Sequence, residues 1–449
     1  MKLINNYRLK FLKYLFLSII LICNCISCKK NINNPIDLSY TQKDIPYQFG
    51  MAVPHFGHHR LIDVTARYDM GVRWVRRDIA WQEVERTRGV FNFDEADITI
   101  NNEINNNVEV LGILNYSNLL YISDPSATTS FPPDTLDFFG NYVTQTVRHL
   151  KDRIHIWEIW NEPNGPTFWK PYANPIEYGK LVLVAAQRIR AEDPTAKIML
   201  GGMVGNSDQI FFDERPWGFT EKLLEAYPEI VSWIDIYSIH PYTFLQNPSP
   251  EDASDGIKVG FSDMINNFKT ILAKHGAQNK PIWATEYGWH NAIHASFFKG
   301  VTEEQQANYL VRASTLALSL GVELLFPYTY RDGPEDLTVS EAHFGMFRYA
   351  DPISEVAYEP KPSYFAYKTM TQQLGNKSFT KDLRKMLQLN DKSFAFQFED
   401  VIVAWSINEN GDKINLSKIP QKITSTKGES FIPVSKEISI NNSPVYIKF

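Results

Sequence analysis

Short apolar runs recur through the middle of this chain, separated by longer stretches whose apolar residues return every three or four positions. The runs are Tyr47–Val53, Val72–Arg76, Val108–Asn115, Ile154–Asn161, Lys197–Gly202, Ile234–His240, Pro281–Glu286 and Glu323–Tyr328. Pro175–Glu192 and Glu303–Leu320 carry the helical spacing between them. Strands alternating with helices imply a parallel sheet. Eight such units imply a closed (β/α)₈ barrel, and residues 48–375 supply roughly 41 positions per unit. An open doubly wound sheet is the alternative, but its glycine-rich first turn is missing.

After Leu374-Gly375 the pattern changes to strands. Ser393–Phe398 alternates, Val401–Ile407 is β-rich, Asn410-Gly411 is a hairpin-turn signal, and Glu437–Ile440 and Val445–Phe449 follow. Residues 376–449 therefore read as a small all-β, sandwich-like domain. It would either bind sugar or brace the barrel, and the brace is the favoured reading.

The N-terminus has another character. Residues 1–13 are basic, residues 14–22 are almost wholly apolar, and the chain's three cysteines, Cys23, Cys25 and Cys28, come next. That order is the pattern of an export signal, too short to span a membrane comfortably. Cys25-Ile26-Ser27-Cys28 resembles a bacterial lipobox, which implies cleavage after residue 27 and lipidation of Cys28. Acyl chains on Cys28 would hold the protein to a membrane without a transmembrane helix. Residues 28–47 read as a polar tether.

Composition narrows the partners. The formal charge is −6. Loss of the leader, with Lys2, Arg8, Lys10, Lys13 and no acid, would make the mature chain more acidic still. Nucleic acid is not expected as a partner. No cysteine lies beyond Cys28, so the folded part holds no disulfide or thiolate metal site. No zinc-binding His pair or phosphate-cradling glycine loop is present either, and neither metal nor organic cofactor is expected.

The candidate chemistry lies in two glutamates. Ile154–Asn161 runs straight into Glu162-Pro163, and Pro281–Thr285 into Glu286. A carboxylate at the end of a buried strand is costly unless it is paired or does chemistry. The two sit on the fourth and seventh runs, and a barrel gathers its C-terminal strand ends on one face.

Trp157-Glu158-Ile159-Trp160-Asn161-Glu162-Pro163-Asn164 resembles the acid/base motif of glycoside hydrolase clan A. Trp283-Ala284-Thr285-Glu286-Tyr287-Gly288 resembles that clan's nucleophile strand. Gly71–Arg76 with Trp81, Glu85, Gly89 and Phe91-Asn92-Phe93, then Ser238–Tyr242, then Tyr328–Gly333 with His343-Phe344-Gly345 and Pro360-Lys361-Pro362, are most similar to family thirty-nine. That family includes β-xylosidases, α-L-iduronidases and exopolysaccharide-cleaving enzymes.

The resemblance implies a retaining glycosidase acting on a carbohydrate, with Glu286 as nucleophile and Glu162 as acid/base. Retention requires carboxyl groups about 5–5.5 Å apart, and inversion about 6.5–9.5 Å. Glu286 should stay ionised, helped by Arg76 at the end of strand two and by Tyr242. Glu162 should be protonated at rest, its pKa raised by Trp160 and by its neighbour's charge. Asn161 would hold the substrate 2-hydroxyl. Successive strand residues face opposite sides, so the regular strand should end or bulge where Asn161 meets Glu162. Glu158, deeper on the strand, reads as structural. His240 is expected in the substrate pocket. His55 would contact a sugar hydroxyl rather than a metal. Tyr328, Arg331 and Asp332 would shape specificity, and Trp289 would stack on a sugar or pack. The competing class is a non-catalytic glycan-binding lipoprotein on the same barrel.

Overall fold

Eight short strands form one sheet in sequential order: β1 (Gly50–Ala52), β2 (Trp74–Asp78), β3 (Glu109–Leu114), β4 (Ile156–Asn161), β5 (Lys197–Gly205), β6 (Tyr237–Pro241), β7 (Ile282–Tyr287) and β8 (Leu324–Pro327). Every neighbouring pair is parallel. Bridges Phe49↔Leu325 and Ala52↔Tyr328 bring β8 back to β1, so the sheet closes into a (β/α)₈ barrel. This computed structural model describes residues 48–54, 61–205, 216–243, 249–251, 259–293, 300–333, 336–349 and 358–449. The leader, the tether with Cys28, and His55 lie outside the described residues. Among the described residues, no helix is long and apolar enough to cross a membrane.

The helices begin where local chemistry starts them. Asn174 accepts hydrogen bonds from the Ile176 and Glu177 amides and is followed by Pro175, opening the helix Pro175–Glu192. Thr302 and Gln305 form a reciprocal capping box at the start of Glu303–Ser319. The last barrel helix, Pro362–Leu374, is tied to β1 by Tyr367 Oη, which donates to the Gly50 carbonyl at 2.7 Å.

One difference from the sequence expectation bears on the site. β2 starts and ends two residues later than the apolar run, so Arg76 lies mid-strand and Asp78 ends it. Side chains alternate along β2. Arg76 enters the barrel, while Arg77 points outward to Glu103 and to the Val53 carbonyl. Both guanidiniums are buried and paired, so the polar letters of Arg76-Arg77-Asp78 do not mark a solvent-exposed end.

Beyond residue 375, eight strands follow: β9 (Phe379–Asp382), β10 (Ser393–Phe398), β11 (Val401–Ser406), β12 (Asp412–Asn415), β13 (Lys422–Ser425), β14 (Ser430–Phe431), β15 (Glu437–Ile440) and β16 (Val445–Lys448). Six form a sheet in the order β14-β13-β16-β11-β10-β9, and β12 pairs with β15. The period-two alternation divides the faces. Phe394, Phe396, Phe398, Val403 and Trp405 join the barrel's hydrophobic core, while Ala395, Ile402 and Ala404 pack with Ile414, Ile438 and Ile440 of the small sheet. Trp405 Nε1 donates to Glu251 at 2.8 Å, and Glu251 also holds Arg312 of the helix Glu303–Ser319. Asn410-Gly411 is a turn with Gly411 at φ 69°, but β12 leaves it to pair with β15 rather than folding back on β11.

Candidate active site

The end of β4 departs from regular strand backbone. Trp160 and Glu162 have φ of 68° and 46°, a left-handed region that costs a non-glycine residue about 1–3 kcal/mol. The β4–β5 register keeps one offset from Ile156↔Lys197 to Asn161↔Gly202, so no residue is inserted. Regular alternation ends here through two left-handed residues, not through a bulge. Buried packing holds them in place. The Trp160 ring lies 5.2 Å from Trp169 and edge-on to Tyr116 at 5.4 Å, and its Nε1 donates to the Phe168 carbonyl at 2.9 Å. The Glu162 amide donates to the Gly202 carbonyl at 3.1 Å. Asn161 and Glu162 thereby both face the mouth.

A closed series of contacts links the two glutamates. Arg76 Nη1 donates to Glu286 Oε1. Its Nε and Nη2 donate to Glu158 at 2.6 and 3.2 Å, and Nη2 also reaches Asn161 Oδ1 at 2.9 Å. Thr285 Oγ1 donates to Glu158 at 3.3 Å and lies 2.9 Å from His240 Nε2. His240 Nδ1 lies 2.8 Å from Glu162 Oε1. Tyr242 Oη donates to the other oxygen of Glu286 at 2.9 Å. Arginine only donates, so Arg76 fixes the flip of Asn161, whose Nδ2 then donates to Tyr116 Oη at 2.8 Å. One hydrogen of that amide is left for a ligand. Glu158 is a structural anchor that also accepts the Gly202 amide at 2.7 Å.

Gly202 is required here. A Cβ on it would stand 2.0 Å from His240 Nε2, far inside contact distance. Only glycine lets β5 pass behind the imidazole.

Burial and charge set different protonation tendencies for the pair. Glu162 is raised well above the ordinary carboxylate range by burial and by the Glu286 charge, which outweigh Arg76. Glu286 is raised by burial too, but Arg76 and the Tyr242 hydroxyl oppose this at its own oxygens. Glu162 is therefore the member that takes the shared proton first. Burial pulls Arg76 down, yet Glu158 and Glu286 more than compensate, and it stays cationic. Burial, with Arg76 nearby, holds His240 well below the usual imidazole range, so His240 is neutral. Burial and Glu286 push Tyr242 up, keeping it a donor.

One oxygen of Glu162, one of Glu286 and a nitrogen of His240 lie within 4.8 Å of one another. That spacing would also suit a metal ion. Here, however, Arg76 already supplies the positive charge at Glu286, and His240 uses its second nitrogen on Thr285. A second such grouping, Glu221, Glu225 and His275, is bridged on the surface by Lys274.

The remaining sequence candidates divide. Tyr328 stays at the site, edge-on to Phe344 at 5.4 Å, and Phe344 in turn lies edge-on to Tyr242 at 6.2 Å. Asp332 is instead committed to Lys361 Nζ, 3.0 Å from each oxygen, and to the Gly345 amide. Arg331 lies over Tyr358 at 5.2 Å. Trp289 is buried, with Nε1 on Thr243 at 3.2 Å and Tyr309 edge-on, so it packs and offers no sugar platform. Three residues that the sequence reading did not single out belong to the site: Tyr116 against Asn161, Asp78 at the end of β2, and Glu341 hydrogen-bonded to Tyr328. Tyr116 and Asp78 could have been found as residues at C-terminal strand ends. Glu341 had no such signal.

Comparison with known proteins agrees with the barrel fold. The family model described as Cellulase (glycosyl hydrolase family 5) matches residues 49–319. A β-xylosidase of Geobacillus stearothermophilus is 26% identical over 282 residues. The alignment covers 56% of this chain and 49% of that protein, so the chain matches about half of that relative's length. A family 39 glycoside hydrolase from the gut symbiont Bacteroides cellulosilyticus WH2 superposes with TM-score 0.70 at 20% identity, over 91% of this chain and 82% of that one. A monomeric β-xylosidase from Caulobacter crescentus CB15 superposes with TM-score 0.62 at 15% identity, over 89% and 95%. At those identities the superpositions speak to the fold.

Proposed function

We propose that this chain, which belongs to the Cellulase family, glycosyl hydrolase family 5, is a glycosidase that works by retaining double displacement at Glu162 and Glu286. The observation that carries this reading is that one oxygen of Glu162 and one of Glu286 come within 4.8 Å of each other at the barrel mouth, an approach that suits the closer, retaining pair. Glu286, oriented by Arg76 and Tyr242, attacks the anomeric carbon. Glu162 gives its proton to the departing oxygen. Esterification then removes the Glu286 charge, which lowers the Glu162 pKa and turns it into the base that activates water. Asn161 gives its remaining amide hydrogen to the sugar 2-hydroxyl.

His240 stays neutral, with Nδ1 at Glu162 and Nε2 at Thr285, and so orients the Glu162 carboxyl without adding charge beside it.

The substrate is a β-linked oligo- or polysaccharide, or a sugar of equivalent stereochemistry. The strand-eight resemblance and the β-xylosidase relative favour a family-thirty-nine-like specificity within the clan. The test is turnover of aryl glycosides and polysaccharides by wild type and Glu286→Gln. Wild type releases product and the variant does not; equal nonzero release by both refutes the mechanism.

We further place the enzyme outside the cytoplasm, held by lipid on Cys28, on the strength of the leader pattern alone. Metabolic labelling with a fatty acid should mark wild type and not Cys28→Ala.

A further inference from the structure

Two more carboxyls stand at the mouth, and the mechanism above uses neither. Asp78 lies two residues beyond Arg76 on β2, hence on the same face and one step nearer the opening. It is deeply enclosed yet keeps open surface, as a group lining a pocket does, and burial outweighing Arg76 pushes its pKa up to about 7. Beside it Asn115 is fully buried, and its side chain hydrogen-bonds the Asp78 carboxyl. Glu341 stands on the turn Ser340–His343 after β8 and is hydrogen-bonded to Tyr328.

β2 and β8 flank β1, and β8 lies across the barrel from β4. The leaving group departs past Glu162 on β4. The body of the glycone and its hydroxyls therefore lie toward β8, β1 and β2. Among the described residues, Arg76 is the cation acting on both Glu162 and Glu286, and its guanidinium is occupied by Glu158, Glu286 and Asn161.

We propose that Asp78 and Glu341 are specificity-determining carboxyls: they accept hydrogen bonds from hydroxyls of a neutral glycone and repel a uronic acid. This rests on the glycosidase reading above. In their ionised form, which for Asp78 prevails above about pH 7, these carboxylates accept strong hydrogen bonds from hydroxyls, and a sugar carboxylate beside them meets like charge with no unoccupied guanidinium among the described residues to offset it, so the comparison is made at pH 8.

The test compares matched aryl β-D-glucoside and β-D-glucuronide, and aryl β-D-galactoside and β-D-galacturonide, beside an aryl β-D-xyloside. Wild type should take the neutral sugars at least about 100-fold better in kcat/KM, the size expected of uncompensated like charges. Asp78→Asn and Glu341→Gln should each raise KM for the neutral sugar and lift the uronide-to-neutral ratio at least about tenfold. Equal loss on both members of a pair would show a merely structural role and overturn the proposal. So would wild-type turnover of a uronide within tenfold of its neutral partner, which would leave the glycosidase reading standing. If wild type cleaves nothing, that reading falls, and calorimetry of wild type with xylotriose and with trigalacturonic acid decides the proposal. Binding of xylotriose alone supports it; binding of trigalacturonic acid, or of neither, overturns it.

Discussion

Replacing Gly202 with alanine should disable the site without touching a catalytic group. The added Cβ would stand 2.0 Å from His240 Nε2 and 2.6 Å from each neighbouring ring carbon. Ordinary contact is about 3.5–4.0 Å, so the ring must retreat by more than an ångström. Retreat breaks its bonds to Glu162 at 2.8 Å and to Thr285 at 2.9 Å. Each buried group left unsatisfied costs about 1–3 kcal/mol, so with two bonds broken the expected loss of stability is about 2–6 kcal/mol. A misplacement of about 1 Å near the chemistry lowers kcat by about 100-fold. Urea denaturation and aryl-glycoside kinetics measure the two effects. Gly218→Ala is the control. Its Cβ would meet nothing within 4 Å on the helix Pro216–Ala226, so activity should hold and stability should rise slightly. Wild-type kcat in Gly202→Ala, with His240 displaced in its crystal structure, would refute the role assigned to the imidazole.

Two further outcomes follow from the charges. Arg76→Met leaves Glu158 and Glu286 buried without their cation, which should cost about 3–5 kcal/mol in urea denaturation. It should also move the acid limb of the pH–kcat/KM profile upward, because Glu286 must then ionise unaided; an unmoved limb contradicts this. Glu162→Gln should stabilise the fold at pH 7 by about 0.5–2 kcal/mol, as release of a functional penalty commonly does. The folded pKa of Glu162 is raised, so wild-type stability is greatest below the unfolded value and declines as pH rises through the folded one. The gain should vanish toward pH 4, and a gain independent of pH would refute the assignment.

Most of the barrel was legible because each strand run is apolar and each intervening helix keeps its spacing. The fourth and seventh strand ends were legible because a glutamate after a buried run is hard to explain otherwise. Arg76 was found but misplaced: a buried, paired arginine looks like a strand end when only hydropathy is read. Asp332 looked available until Lys361, distant in sequence, closed on it. For Trp289 the sequence left stacking on a sugar and packing both open, and Thr243 and Tyr309, distant in sequence, favour packing. Glu341 reaches the mouth through a turn well beyond β8, where no periodicity marks it. Strands β9, β12, β13 and β14 are short and bury few residues, so they carry too little apolar signal to stand out.

Mass spectrometry after incubation with an activated 2-deoxy-2-fluoro glycoside tests the two-carboxyl account most directly. That reagent esterifies an attacking carboxylate and stalls there. One sugar should appear on the peptide containing Glu286, and it should disappear in Glu286→Gln. An adduct elsewhere, or none together with anomerically inverted product from a natural substrate, would contradict the account.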